Sequence, residues 1–232
     1  MASKTLDFIQ ILYSNEQIEQ LYSFSKPHFS VSLTPYFENS IIENIVPKSE
    51  ADFISVCSWR LRQKRGDGSS GIILQRAGLL TLTEDGILDN DFDVAILTPR
   101  NPSHKMLVCA EMWHGKSWVD AFTLFTKEFL RPLGIRIPKD DLKHVIYENH
   151  FIATREIYHE YVRECLSPAI KFMESRSEFM AASGYKEKKF DKEEVKRTLE
   201  KLKMDDYPIA PFILERLFSI WINNKNYKVI NL

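Results

Sequence analysis

Leu6-Asp7-Phe8-Ile9-Gln10-Ile11-Leu12-Tyr13 reads as a β-strand that is apolar on both faces. A strand with one wet face alternates polar and apolar side chains. A run this apolar belongs to a sheet covered on both sides. Asp52-Phe-Ile-Ser-Val-Cys-Ser58 is a second strand of the same kind. Phe92 to Leu97 is a third, ended by Thr98-Pro99-Arg100-Asn101-Pro102. Phe151 to Ala153 is a short extended piece, and Tyr227 to Ile230 closes the chain as a last strand.

Helical signals lie between and after these strands. Asn15 is the expected cap of a short helix with Ile18, Leu21 and Tyr22 on one face. Val31 to Phe37 is extended and interrupted by proline, and Trp59 to Lys64 begins a helix. Ser103 is expected to cap a helix running to about Trp113. Ser117 caps another, with Ala121, Leu124, Phe125 and Phe129 inward. Arg155 to Glu174 is a long helix whose apolar face is Tyr158, Tyr161, Val162, Cys165, Ala169 and Met173, kinked by Pro168. Lys192 to Lys203 is a charged surface helix. Strands separated by helices, then a helix-rich C-terminal half, predict an α/β fold. One domain over residues 1–232 is expected, with a mobile connection at Gly66–Gly71 and a polar loop at 175–191.

Charge and composition exclude several classes. The net charge is −1 and the pI about 6.6, so nothing pulls the chain as a whole toward nucleic acid. Peripheral attachment to a membrane remains compatible with this composition, but no apolar run approaches the ~20 residues of a spanning helix. Cys57, Cys109 and Cys165 are dispersed and odd in number, which argues against a disulfide framework or a zinc site. With no apolar leader behind Met1-Ala2-Ser3-Lys4, a cytoplasmic protein is expected. The dinucleotide GxGxxG and the phosphate-binding GxxxxGK[ST] patterns are both missing.

Four groups of residues could carry chemistry. Pro208 to Ile222 reads as a helix apolar on almost every side, yet Glu215, Arg216 and Ser219 share one arc of about 100°. A charge buried without a partner costs several kcal/mol, so Glu215 and Arg216 form a structural ion pair or line a cleft. In a cleft, Glu215 is a candidate general base. Tyr147-Glu148-Asn149-His150 precedes an apolar strand and suits either a sugar-facing loop or an ordinary strand entry. Arg60-Leu-Arg-Gln-Lys-Arg65 follows a strand and is either a phosphate-holding edge or a solvated face. Asp91-Phe92-Asp93 could seat a divalent cation or be a solvated acidic turn. His104, His114, His144, His150 and His159 show no metal-ligand spacing.

Three blocks taken together resemble bacterial glycosyltransferase-like proteins of capsular and surface polysaccharide loci. They are Asp52-Phe-Ile-Ser-Val-Cys-Ser-Trp59-Arg60, Tyr147-Glu-Asn-His-Phe-Ile-Ala-Thr-Arg-Glu-Ile-Tyr-His-Glu-Tyr161, and Phe212-Ile-Leu-Glu-Arg-Leu-Phe-Ser-Ile-Trp-Ile222 with Tyr227-Lys-Val229. The resemblance touches the chain in patches from Leu6 to Leu232. It implies a GT-A-like twisted mixed sheet flanked by helices, with a nucleotide-diphosphate sugar at the carboxyl edge of the strands. It implies that Tyr147, Glu148 and Asn149, with Trp59 and Arg60, meet the substrate. Glu215 would be the base or the sugar-orienting carboxylate, and Arg216 would pair with Glu215 or with phosphate. The acceptor would be a glycan or a lipid-linked glycan. Mn²⁺ or Mg²⁺ at Asp91 and Asp93 would assist, although this pair precedes its strand where the family's motif follows one. The alternative is a catalytically silent binding or scaffold protein on the same fold.

Overall fold

The computed structural model describes residues 4–30, 34–62, 82–98, 106–137, 142–146, 148–181, 199–200 and 202–232, with backbone alone for 106–113. The strands are β1 (Leu6–Leu12), β2 (Lys26–Phe29), β3 (Phe53–Ser58), β4 (Val94–Ile96), β5 (Phe151–Thr154) and β6 (Val229–Asn231). They form one mixed sheet in the order β2-β1-β3-β5-β4-β6. β1 runs parallel to β2 and β3, and β4 parallel to β6. β5 enters antiparallel between β3 and β4. The start of β5 therefore lies beside the carboxyl ends of β3 and β4, which gathers several loops at one edge.

The two-residue period of the strands divides the core. Ile9, Ile11, Ile54, Val56, Val94, Ile96, Phe151 and Ala153 face the larger apolar cluster. Phe8, Phe53, Cys57, Ala95 and Ile152 face a smaller one completed by Tyr22, Leu61, Leu82 and Ile87. Both faces are covered, as the composition of β1 requires. Its one amide, Gln10, is fully buried and hydrogen-bonded, accepting from the Tyr22 N–H at 2.9 Å and donating to the Ser58 carbonyl at 3.5 Å.

The helices are α1 (Glu38–Ile45), α2 (Glu84–Leu88), α3 (Met106–Phe125), α4 (Arg155–Tyr161), α5 (Ser167–Glu174) and α6 (Ala210–Ile222). α3 is two helices joined at Gly115, whose φ of 74° is open to glycine at no steric cost. That break accounts for the two expected helices. Between α4 and α5, Val162–Leu166 forms a π turn, with the Ser167 N–H reaching the Val162 carbonyl. Pro168 has no N–H and its ring crowds the preceding turn, so widening that turn lets one continuous rod pass the proline. α6 buries eleven residues, among them Phe218 and Trp221.

Local expectations failed at three places. The helix at Asn15–Gln20 is a short 3₁₀ segment capped from Ser14, and Gln17 Oε1 accepts the N–H groups of Tyr13 and Ser14 at 2.7 and 3.2 Å. Residues 34–37 form a turn where an extended stretch was expected, because the Phe37 N–H donates back to the Thr34 carbonyl at 3.1 Å. β2 and α2 carry too short a pattern to be read beforehand. Gly66–Gly71, Lys64, Arg65, Ser103 and residues 182–198 lie outside the described residues. Among the described residues, no helix is long and apolar enough to cross a membrane.

Candidate functional site

The polar stripe of α6 is a docking ladder. Glu215, Ser219 and Asn223 recur every four residues along the helix and its C-cap, and they bind alternate residues of the segment entering β5. Asn223 brackets His144, accepting its N–H at 3.1 Å and donating to its carbonyl at 2.7 Å. Ser219 Oγ accepts the Ile146 N–H at 2.7 Å and donates to the Ile146 carbonyl at 2.9 Å. Glu215 Oε1 accepts the Glu148 N–H at 3.2 Å. Four helical residues advance about 6.0 Å, which spaces the three anchors along the segment they hold.

Ser219→Ala deletes two buried hydrogen bonds and leaves both Ile146 backbone groups without them. The expected cost is about 1–3 kcal/mol, read as a lower urea midpoint at unchanged slope. A midpoint within a few tenths of wild type would mean that the ladder does not hold this segment.

The ladder delivers the chain to a strained pair. Glu148 and Asn149 both adopt the left-handed conformation, with φ of 55° and 56°. Asparagine tolerates this region and glutamate does so less readily, so the conformation is held by its surroundings. Asn149 is 3% exposed and donates to Asn39 Oδ1 at 3.5 Å. His150 is buried between Thr98 Oγ1, 3.5 Å from its Nδ1, and Glu148 Oε2, 3.8 Å from its Nε2.

Asn39 leads to the neighbouring Glu38 at the start of α1. The Tyr13 hydroxyl, just beyond β1, donates to Glu38 Oε1 at 2.9 Å. Burial pushes the Glu38 carboxyl above its ordinary value, and the Glu215 charge adds to this. Its backbone and Tyr13 hydrogen bonds and the Arg60 charge oppose the rise. Burial likewise pushes the Tyr13 phenol well up, so it remains a proton donor. Arg60 follows β3, with its N–H on Ser58 Oγ at 3.1 Å and its guanidinium 5.3 Å from the Trp59 ring centre.

Tyr13, Trp59, Arg60, Thr98, Glu148, Asn149 and His150 thus share the carboxyl edge of β1, β3 and β4. Open α/β sheets bind ligands along this edge. Glu38 closes the group from α1, and Glu215 and Arg216 close it from α6.

No family model, curated protein or solved structure matches this chain.

Of the residues singled out by sequence, Trp59, Arg60, Glu148, Asn149, Glu215 and Arg216 come together here. Tyr147 lies outside the described residues. Glu215 is one-fifth exposed and Arg216 one-twentieth, their closest approach being 3.4 Å. Arg216 also lies over Trp118, 5.6 Å from the ring centre, and donates to the Phe212 carbonyl. Each Glu215 oxygen therefore has a protein partner.

Asp91 and Asp93 stand at the opposite edge of the sheet. Asp91 pairs with the Lys228 ammonium at 2.6 Å, and Asp93 accepts the Lys228 N–H at 2.7 Å. Lys228 holds the Asp91 carboxyl below its ordinary value. In this arrangement the pair anchors β6 to β4 and does not fit a cation serving the carboxyl edge. Among the described residues, no group of three or more His, Cys, Asp or Glu is placed to hold a metal ion.

Glu38, Asn39 and Tyr13 were missed by sequence reading. Tyr13 ends the first strand and Glu38 opens the next helix, so the carboxyl-edge rule applied to β1 was the signal that could have found them.

His114 lies behind the site, its ring centre 4.1 Å from that of Phe212. Burial, reinforced by the Arg216 charge, pushes its imidazole from 6.5 down to about 3. The unfolded chain takes up this proton near pH 6.5, whereas the folded chain refuses it until pH falls to about 3. The unfolded state binds more protons across that window, so stability is lost as pH drops through it and regained as pH rises. His114→Phe should flatten that acid slope, measured as denaturation midpoints between about pH 7 and pH 4. A wild-type slope in the variant would remove His114 as its cause.

Proposed function

We propose that the chain is a GT-A-like glycosyltransferase. It would move a sugar from a nucleotide-diphosphate donor to a glycan or lipid-linked acceptor in bacterial polysaccharide synthesis, at a cytoplasmic site. One observation carries the reading: Glu38, half-buried at the carboxyl edge of a mixed sheet, accepts a hydrogen bond from the Tyr13 hydroxyl at 2.9 Å, and its surroundings push its carboxyl above the ordinary value.

In the transfer, the acceptor hydroxyl attacks the anomeric carbon while Glu38 takes its proton. The bond from that carbon to the donor phosphate breaks, and its electron pair leaves with the diphosphate. Arg60 offsets the charge that develops there. A carboxyl raised toward neutrality is a better proton acceptor than one at its usual value. Glu215, held by Arg216 and the Glu148 N–H, orients the sugar and keeps the Glu148–Asn149 turn in place.

The test is a thermal-shift panel of UDP-, GDP- and dTDP-sugars, each with and without Mn²⁺ or Mg²⁺, followed by detection of nucleotide release. A donor at 100 times its Kd adds about 2.7 kcal/mol of stability and raises Tm by several degrees. An unchanged Tm across the panel would sink the reading. Binding without turnover would favour the silent scaffold.

A further inference from the structure

Three half-exposed aromatic rings, Phe37, Tyr207 and Phe212, lie in a row that begins beside Glu38 and ends one helical turn before Glu215. The Phe37 and Tyr207 ring centres are 5.8 Å apart, and those of Tyr207 and Phe212 are 6.3 Å apart. Phe212 lies one helical turn before Glu215 and Arg216, a spacing that puts side chains on one face. The His114 ring packs against Phe212 with the two planes tilted by 33°.

Phe37 directly precedes Glu38 and has φ 49° and ψ −132°. A bulky residue at positive φ is an outlier that persists only where its surroundings hold it. Glycine would relax this position; the strained backbone instead carries a ring that packs against Tyr207. At the inner end of the site, Asn149 is buried and its Oδ1 has no hydrogen-bond partner among the described residues.

We propose that Phe37, Tyr207 and Phe212 form a stacking subsite for the acceptor's sugar ring, whose hydroxyls turn to Glu38, Glu215 and Asn149. This rests on the glycosyltransferase reading and names the side of the cleft that takes the acceptor. A pyranose has an apolar C–H face and a rim of hydroxyl donors. The aromatic wall matches the face, and two carboxylates with an amide oxygen match the rim. A nucleobase has an equally flat face but only one or two donors, so it leaves more of these acceptors without a hydrogen.

Saturation-transfer NMR on the full chain tests the assignment. The probes are methyl glycosides of glucose, galactose, mannose and N-acetylglucosamine, with UMP alongside. At least one glycoside should receive saturation at its ring C–H protons. Tyr207→Ala should weaken that glycoside about tenfold, a typical loss for one stacked ring, with the near-UV circular dichroism retained. Phe212→Leu should do the same; if it fails to fold, Tyr207→Ala decides alone.

The proposal is overturned if no glycoside is saturated or if its binding survives Tyr207→Ala. It is also overturned if only UMP base protons depend on Tyr207, since the wall would then seat a nucleobase. Nucleotide-sugar turnover is measured separately. Tyr207-dependent glycoside binding without turnover would keep the subsite and defeat the transferase reading.

Discussion

Phe218→Ala should remove about 3–5 kcal/mol of stability, the usual cost of emptying a large aromatic site. Phe218 is fully buried in the middle of α6. Its ring stacks on Phe151 of β5 at 3.7 Å and 8°, and meets Tyr161 edge-on at 4.8 Å and 88°. One side chain thus joins α6 to the sheet strand whose start carries the site and to the end of α4. Truncation removes dispersion contacts on both sides, and rigid neighbours cannot collapse into the space. Domains of this kind have about 5–15 kcal/mol in total, so the variant should sit near its unfolding threshold. Urea denaturation gives the measurement, with the midpoint falling and the slope unchanged. A loss under about 1 kcal/mol would show that the stack is not central to the core.

On the proposed transferase reading, Glu38→Gln should reduce sugar transfer by about 10²–10⁴-fold, the range for removal of a general base. The amide keeps the shape and can still accept from Tyr13, but it cannot take the acceptor's proton. The same substitution should make the protein more stable at neutral pH. Burial raises the folded carboxyl's pKa above its value of 4.5 in the unfolded chain. Between those two values the folded state holds a proton that the unfolded state has lost, so wild-type stability falls as pH rises through that window. The variant has no such proton. Its advantage should be present above the window and vanish below about pH 4.5, where both wild-type states are protonated. Melting curves from about pH 4 to pH 8 check the sign. Unchanged turnover would end the base assignment. A gain in stability that ignores pH would show that the desolvation argument is wrong.

The two substitutions pull in opposite directions for one reason. Phe218 occupies a place where burial is favourable, while Glu38 occupies one where burial is costly and is retained beside other functional groups. Strain follows the same pattern, with Phe37, Glu148 and Asn149 at positive φ around the candidate cleft.

Much of the architecture was legible in local pattern. β1 carries its burial in its composition, because a strand with no polar face must be covered twice. α6 announced both its burial and its polar stripe. The disturbance near Pro168 follows from the missing N–H of that residue, though it takes the form of a π turn and not of the expected kink. β2 and α2 were not legible: four and five residues hold too little periodicity, and only their neighbours stabilise them.

The candidate site divides in the same way. The sequence by itself determined that Glu215 and Arg216 needed partners, and that Glu148 and Asn149 offered hydrogen-bonding groups at a strand entry. It did not determine what those partners were. Asn39 and Asn149 are 110 residues apart, and Glu148 and Glu215 are 67 apart. Their meeting depends on β5 entering antiparallel beside β3 and on α6 lying across its start. Strand order and helix placement arise from the packing of the whole core, which no local window contains. Tertiary structure therefore turned the stripe of α6 into a ladder and brought Glu38 to the candidate site, because both outcomes depend on long-range packing and not on local propensity.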